Sequence, residues 1–310
     1  FMNSKSFSAK ILLFGEYGIL QNSKAISIPF NEYQGRLHFG NLNDNQVKKS
    51  NKKIGNLFNY LIQSNIKNDF NLTQFENDIK NGLYFISTIP IGYGLGSSGA
   101  LVAAIYDQYF LSKVQMNKNI SSQQIIELKN KLSIIESYFH QKSSGIDPLT
   151  SIIGTPLLFN SKNEIKIINF SNSFNDNGKR GLFIINSGRS AKTDNLIKTF
   201  MGLIKDKAFS EIFFKEFVIP TNKCVSSIVD LEFNLFSKYF RNISEFILNK
   251  LTPMVPLDFD QIWRNGLDSG TYFLKLCGSG GGGCLIGYSD DLNEAKKKLC
   301  DYEFKVLAKF

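Results

Sequence analysis

The sequence predicts an α+β protein of two domains, on three observations. Its 310 residues, 43% of them hydrophobic, are enough to build two cores of ordinary size. Short apolar, β-rich runs alternate with segments of helical periodicity along the chain. An Asn-, Ser- and Gly-rich stretch at 171–179 interrupts both patterns and reads as the boundary, giving domains at 1–175 and 176–310.

Taken in order, Phe7–Phe14 reads as a strand that stops at Gly15. Ala25–Pro29 and Gly35–Phe39 read as two short extended pieces, and the polar run 41–53 as a loop. A helical pattern then begins at Leu57 and reaches Ile66. Leu83–Ile89 is apolar and β-rich and leads straight into a glycine-rich loop. Ala100–Val114 has helical spacing with no Gly or Pro to break it. Ser121 or Ser122 suits the N-cap of a helix to about Phe139, with Ile125, Leu128, Leu132, Ile135 and Phe139 on one stripe. An apolar run, Leu149–Ile153, precedes a hairpin centred on Ser161-Lys162-Asn163. The second half opens on a strand, Leu182–Asn186, continues in several helices, and has a strand–turn–strand pattern over Thr271–Tyr288. No internal repeat is visible.

Composition excludes several classes. No apolar run reaches the roughly 18–20 residues that cross a bilayer, and Phe1-Met2-Asn3-Ser4-Lys5-Ser6 lacks the apolar core and cleavage site of a secretory signal. Met2 reads as the natural start, and the expectation is a soluble cytoplasmic protein. The 36 basic and 27 acidic residues leave a charge of +9, but the basic residues are dispersed. Lys296-Lys297-Lys298 fits the solvated face of a helix, so nucleic acid and membrane are not expected partners. The four cysteines form no CxxC pair, and two scattered histidines make no zinc site; buried free thiols are expected.

Three features carry chemistry. The first is Pro90-Ile91-Gly92-Tyr93-Gly94-Leu95-Gly96-Ser97-Ser98-Gly99-Ala100, set between a strand and a helix. Glycines let the backbone approach an anion, and the helix start offers unpaired N–H groups to phosphate oxygens. Ser97 and Ser98 add hydroxyls for phosphate or Mg²⁺. The pattern matches neither the Walker loop nor the dinucleotide fingerprint, and an ordinary strand-to-helix connection stays open. The second is Cys277-Gly278-Ser279-Gly280-Gly281-Gly282-Gly283-Cys284. Ordering four consecutive glycines is entropically costly, so a backbone passing close to a ligand explains them better than a hairpin tip does. The third is Glu136 and His140, four apart on one helix face, followed by Asp147 in a turn-like stretch. Phosphoryl transfer needs one carboxylate for the metal and another for the acceptor hydroxyl, yet a solvated Glu136, a turn-forming Asp147 and an ordinary hydrogen-bonded His140 remain alternatives. Lys10 inside the first apolar strand is an edge charge or a buried cation aimed at an anion. Glu16 is its partner or a turn cap.

In this order the pieces resemble the GHMP kinases, a family that includes galactokinase, homoserine kinase, mevalonate kinase and phosphomevalonate kinase. Ser8 to Leu20 is similar to the family's first motif, Pro90–Ala100 to its P-x-G-x-G-L-G-S-S-A, and Lys275–Cys284 to its K-x-T-G-A-G-G-G-G-C. Glu136 to Asp147 matches the E-x-x-x-H-G-x-P-S-G-x-D of the mevalonate kinase branch without a gap, with Gln141 in place of Gly and Ser143 in place of Pro. Gly15-Glu16-Tyr17 leans instead toward phosphomevalonate kinases, since the mevalonate branch has His after Glu.

The resemblance implies an S5-like N-terminal domain, a ferredoxin-like C-terminal domain and an active site in the cleft between them. It implies an ATP-dependent kinase using Mg²⁺, with mevalonate as the expected acceptor and phosphomevalonate or another hydroxy acid as the rival. A non-catalytic ligand-binding relative is a further rival, and a homodimer is left open. Carried over, Asp147 is the base or orienting carboxylate and Lys10 steadies the moving charge. Gly92, Gly94, Leu95, Gly96, Ser97, Ser98 and Gly99 hold the nucleotide, and Ser98 and Glu136 the metal. Glu16, His140, Ser144, Arg189, Thr193, Gly278, Ser279 and Gly280 line the substrate site. Arg189 belongs to a basic loop, Ser187–Thr193, in which Lys192 is a second cation for a carboxylate or phosphate.

Overall fold

The computed structural model describes residues 5–114, 120–140, 142–161, 163–169, 178–186, 188 and 193–310, with backbone alone at 193–195. Its chain gathers into two compact units. One comprises Phe1–Lys10, Ser27–Pro90 and Leu95–Thr155; the other comprises Ile11–Ile26, Ile91–Gly94 and Pro156–Phe310.

The first unit contains the start of β1 (Phe7–Phe14), most of β2 (Ala25–Phe39), α1 (Asn45–Leu61), α2 (Leu72–Lys80), β3 (Leu83–Ser87), α3 (Ser97–Tyr109), α4 (Ser122–His140) and α5 (Ile146–Ile153). Strand β3 runs antiparallel to β2, with Gly35 opposite Ser87 and Phe39 opposite Leu83. Helix α3 is the centre of this core. Its residues from Gly99 to Tyr106 are all buried, which suits a segment with no charged residue in that span. Tyr109 stacks on Phe75 of α2 at 4.1 Å, and α4 turns Ile125, Leu128, Leu132 and Ile135 inward as its spacing predicts.

Two elements differ from expectation. Asn45–Lys53 is helix, not loop, because Asp44 caps it, accepting from the backbone N–H groups of Gln46 and Val47 at 2.7 and 3.2 Å. Val47 then falls on the same buried stripe as Ile54, Leu57 and Leu61. The two extended pieces are one strand, β2. Its exposed polar middle is held by pairing rather than burial: Thr88 N–H donates to the Gln34 carbonyl at 3.0 Å and β3 continues the ladder.

The second unit contains the hairpin β4 (Leu157–Ser161) and β5 (Glu164–Ile167), then β6 (Gly181–Asn186), α6 (Thr193–Leu203) and α7 (Lys207–Phe213). A π-helical turn, Phe214–Val218, leads into α8 (Ile219–Val229), α9 (Phe233–Lys250), α10 (Asp260–Ser269), β7 (Phe273–Leu276), β8 (Cys284–Ser289), α11 (Leu292–Lys298) and β9 (Phe304–Lys309). Four strands form a sheet in the order β7-β8-β6-β9, with every neighbouring pair antiparallel. Helix α9 packs Phe236 and Phe240 against Phe14, each ring pair at 5.9 Å and edge-on. Trp263 of α10 donates its indole N–H to Ser244 Oγ at 2.7 Å, so this large core residue leaves no orphaned donor. The exposed lysines of α11 sit where the charge pattern predicts, in its last turn. Cys224, Cys277 and Cys284 are buried thiols as expected; Cys300 is exposed, at the start of the loop after α11. Among the described residues no helix is long and apolar enough to cross a membrane. The Asn- and Ser-rich run 171–177 lies outside the described residues.

Candidate active site

Helix α3 begins at Gly96, which caps it in the left-handed region at φ 74° and ψ 39° with no side-chain hydrogen bond to the first turn. The N–H groups there therefore point outward without an internal acceptor, and the helix dipole adds to their pull on an anion. Glycine is required at 96 on a second count. A Cβ there would come within 2.8 Å of Lys10 Cγ and 3.4 Å of Asp147 Oδ2.

Those two side chains form the centre of the site. Lys10 is 4% exposed and its Nζ lies 3.0 Å from Asp147 Oδ1. Strand β1 places the lysine: its backbone N–H donates to the Leu95 carbonyl at 3.0 Å, tying the strand to the glycine loop. Asp147 sits in the first turn of α5, whose N-cap is Gly145 in the left-handed region. A Cβ at Gly99 would stand 2.7 Å from Asp147 Cβ, so α3 and α5 meet there without room for a methyl group. Of the two readings open for Lys10, the buried cation facing an anion is the observed one.

Glu136 and His140 share a face of α4 and both reach Ser98. Its Oγ lies 3.5 Å from Glu136 Oε1 and 3.0 Å from His140 Nε2. Ser143, which stands where the resemblance expects proline, donates its hydroxyl to Glu136 Oε2, a bond proline lacks. Glu136 is 2% exposed. Burial, and then the negative charge of Asp147, push its carboxyl up to about 8; the Ser143 and Ser98 hydroxyls and Lys10 oppose that rise. Ser98 and Glu136 thus offer hard oxygen donors of the kind Mg²⁺ takes alongside phosphate oxygens and water. Among the described residues no group of three or more His, Cys, Asp or Glu could hold a metal unaided.

The raised carboxyl has a measurable consequence. Because the folded form keeps its proton above the ordinary value of 4.5, Glu136 stabilises the fold fully below that pH, and the contribution is lost as pH rises through about 8. Without nucleotide or divalent ions, Glu136→Gln is therefore expected to gain thermal stability relative to wild type between pH 5 and 8.5. A melting-temperature difference that stays flat across that range would show the carboxyl to be ionised throughout.

The remaining predicted residues fall into three groups. Ser97 opens α3, and Ser144 Oγ accepts from the Ile146 N–H at 3.4 Å beside Asp147. Gly92, Gly94, Glu16, Gly278, Ser279 and Gly280 belong to the second compact unit. There Glu16 is 6% exposed and its Oε1 accepts from Lys275 Nζ at 2.7 Å. A Cβ on Gly94 would strike the Cys277 carbonyl, so the first half of the phosphate loop lies directly on the second glycine turn. Arg189, Lys192 and Gln141 lie outside the described residues, and of Thr193 the structure describes the backbone, at the start of α6. Sequence reasoning gave no role to Lys275 or Tyr17. The signal for Lys275 was available, a lysine in an otherwise apolar strand, as at Lys10.

Comparison with known proteins bears on this arrangement directly. A model of the GHMP kinase N-terminal domain matches residues 56–155, the segment that holds α3, Glu136 and Asp147. Mevalonate kinase of Methanocaldococcus jannaschii is 28% identical over 317 aligned positions, covering 94% of this chain and 92% of that protein. The fold is similar to that of L. major mevalonate kinase in complex with R-mevalonate, with TM-score 0.63 at 13% identity, over 97% of this chain and 91% of the other. It is equally similar to Streptococcus pneumoniae phosphomevalonate kinase in complex with phosphomevalonate and AMPPNP, with TM-score 0.64 at 14% identity, over 100% and 99%. Residues 56–155 thus match the GHMP kinase N-terminal domain, and over nearly its whole length the chain is similar to ATP-using phosphotransferases with an alcohol group as acceptor.

Proposed function

We propose that the protein transfers the γ-phosphoryl group of ATP to the 5-hydroxyl of (R)-mevalonate, giving 5-phosphomevalonate and ADP. The observation that carries this reading is the buried Lys10–Asp147 pair set against the uncapped start of α3. It joins an anion-binding helix terminus to a carboxylate and a cation, the parts that in-line phosphoryl transfer requires. Asp147 orients the acceptor hydroxyl and takes its proton as the oxygen attacks phosphorus and the bond to the β-phosphate breaks. Lys10 offsets the negative charge that develops on the oxygens being transferred. N–H groups of the glycine loop and of α3 hold the phosphates. Ser98 and Glu136 would hold Mg²⁺, whose part is to neutralise phosphate charge. The all-oxygen donor pair fits that ion, and the raised Glu136 carboxyl fits a group that a cation would ionise. Mevalonate is favoured as acceptor by the M. jannaschii relative, which spans nearly the whole chain, and by the ungapped Glu136–Asp147 match.

Phosphomevalonate is the second reading, favoured by Tyr17 after Glu16 and by the S. pneumoniae fold likeness. ADP release measured with mevalonate, phosphomevalonate, homoserine and galactose decides between them. The expected result is a clear preference for mevalonate. Preference for phosphomevalonate would transfer the assignment, and Mg²⁺-dependent nucleotide binding without ADP release on any acceptor would leave a ligand-binding protein.

A further inference from the structure

Tyr17 follows Glu16 at the end of β1 and adopts φ 57°, ψ −40°. The Gly18 N–H donates to the Glu16 carbonyl at 2.5 Å across it. That is a γ-turn of the rarer, strained hand, and Tyr17 is one of three non-glycine residues with positive φ among the described residues. A bulky side chain keeps such a backbone only where its surroundings over-determine it. Here they do so from both sides. The Tyr17 ring lies 4.6 Å from that of Phe200, and its hydroxyl donates to the Ser279 carbonyl at 2.6 Å. One residue earlier, Glu16 is locked by the buried ammonium of Lys275, which also donates to the Leu276 carbonyl at 2.8 Å.

The first tie runs to the second glycine turn, and the second to β7, the strand that leads into it. That turn is otherwise built for placement rather than for its own stability. Gly278, Gly280, Gly281 and Gly283 all have φ between 74° and 78°, and such a run has little intrinsic preference for one conformation. It nonetheless packs tightly on the phosphate loop: a Cβ on Gly283 would stand 2.7 Å from Tyr93 Cα, and one on Gly278 3.3 Å from Gly94 Cα.

We infer that Tyr17 is a positioning residue: its strained turn and hydroxyl fix the Ser279 carbonyl, and so hold the Gly278–Gly283 turn against Tyr93 and Gly94 of the first glycine loop. This rests on the kinase reading for the identity of the nucleotide held on that loop, but the anchoring itself does not. Tyr17→Phe removes the hydroxyl while leaving ring and backbone strain in place. Hydrogen exchange in the Gly278–Gly283 segment is expected to accelerate about fivefold, with exchange elsewhere unchanged. In turnover, the ATP KM is expected to rise about five- to tenfold, with the acceptor KM within twofold and kcat little altered. A merely structural role would lower the active fraction and leave both KM values alone. Unchanged exchange overturns the anchoring whether or not the protein turns over. Faster exchange with an unmoved ATP KM overturns the positioning role. Wild-type turnover is the control, since its absence with every acceptor overturns the kinase reading instead.

Discussion

Asp147→Asn is expected to lower kcat by about 10³-fold, within the range that loss of a positioned acid–base group produces, while nucleotide affinity changes by no more than a few-fold. Asparagine keeps the shape of the side chain in the tight contact with Gly99, so α3 and its N–H groups stay in place. What disappears is the proposed proton acceptor and the charge that faces Lys10, whose side chain is 5% exposed. Lys10→Met is expected to fail at the same step from the other side, by leaving the transferred charge without its cation. Fluorescence titration with a nucleotide analogue, run beside an ADP-release assay, separates the two quantities. Near-normal turnover in Asp147→Asn would remove Asp147 from the mechanism, and lost nucleotide binding would make its role one of folding. Asp147 is 29% exposed in its side chain, so the stability cost should stay well below that of a fully buried broken pair.

Glu16→Gln should show that larger cost. The pair with Lys275 is buried on both sides, at 4% and 1% side-chain exposure, and 2.7 Å long. Removing the carboxylate leaves the Lys275 ammonium with the Leu276 carbonyl and the face of Phe14, 5.6 Å away. Stranding a buried charge in this way costs about 3–5 kcal/mol. For a unit of this size that is a drop in melting temperature of roughly 10 °C. The double variant Glu16→Leu, Lys275→Met strands no charge and is expected to recover most of the loss. Thermal unfolding of wild type, single and double variants checks both expectations. A single variant as stable as wild type would mean that the pair contributes nothing to the folded state.

Much of this was legible because glycine-rich loops are statements about backbone geometry. Gly96 and Gly94 are glycines since Lys10 and the Cys277 carbonyl occupy the space of a side chain, and the run of small residues announced that constraint. The apolar stripe of α4 was equally plain, and Ser121 does cap it, its Oγ accepting from the Gln124 N–H at 3.2 Å. The start of α1 was not legible. Its first turns are polar and lean on one cap at Asp44 and one buried residue, Val47, too little apolar periodicity to register. Partnerships distant in sequence were harder still. Lys10 with Asp147 and Glu16 with Lys275 are each set by tertiary approach, and local spacing suggested Glu16 as the mate of Lys10. The Ser143 hydroxyl on Glu136 was hidden because the position stood out only as a departure from proline.

The division of the chain into its two compact units has a practical consequence for dissection. Ile11–Ile26 and Ile91–Gly94 belong with Pro156–Phe310, while the residues flanking them belong with the other unit. No single cut in the polypeptide therefore releases either unit whole. A fragment ending at Thr155 carries two segments that complete its neighbour, and a fragment starting at Pro156 lacks the Glu16 that neutralises Lys275. Separate expression of halves should yield insoluble material, and a split version of the protein would have to be sought in a surface loop within one unit.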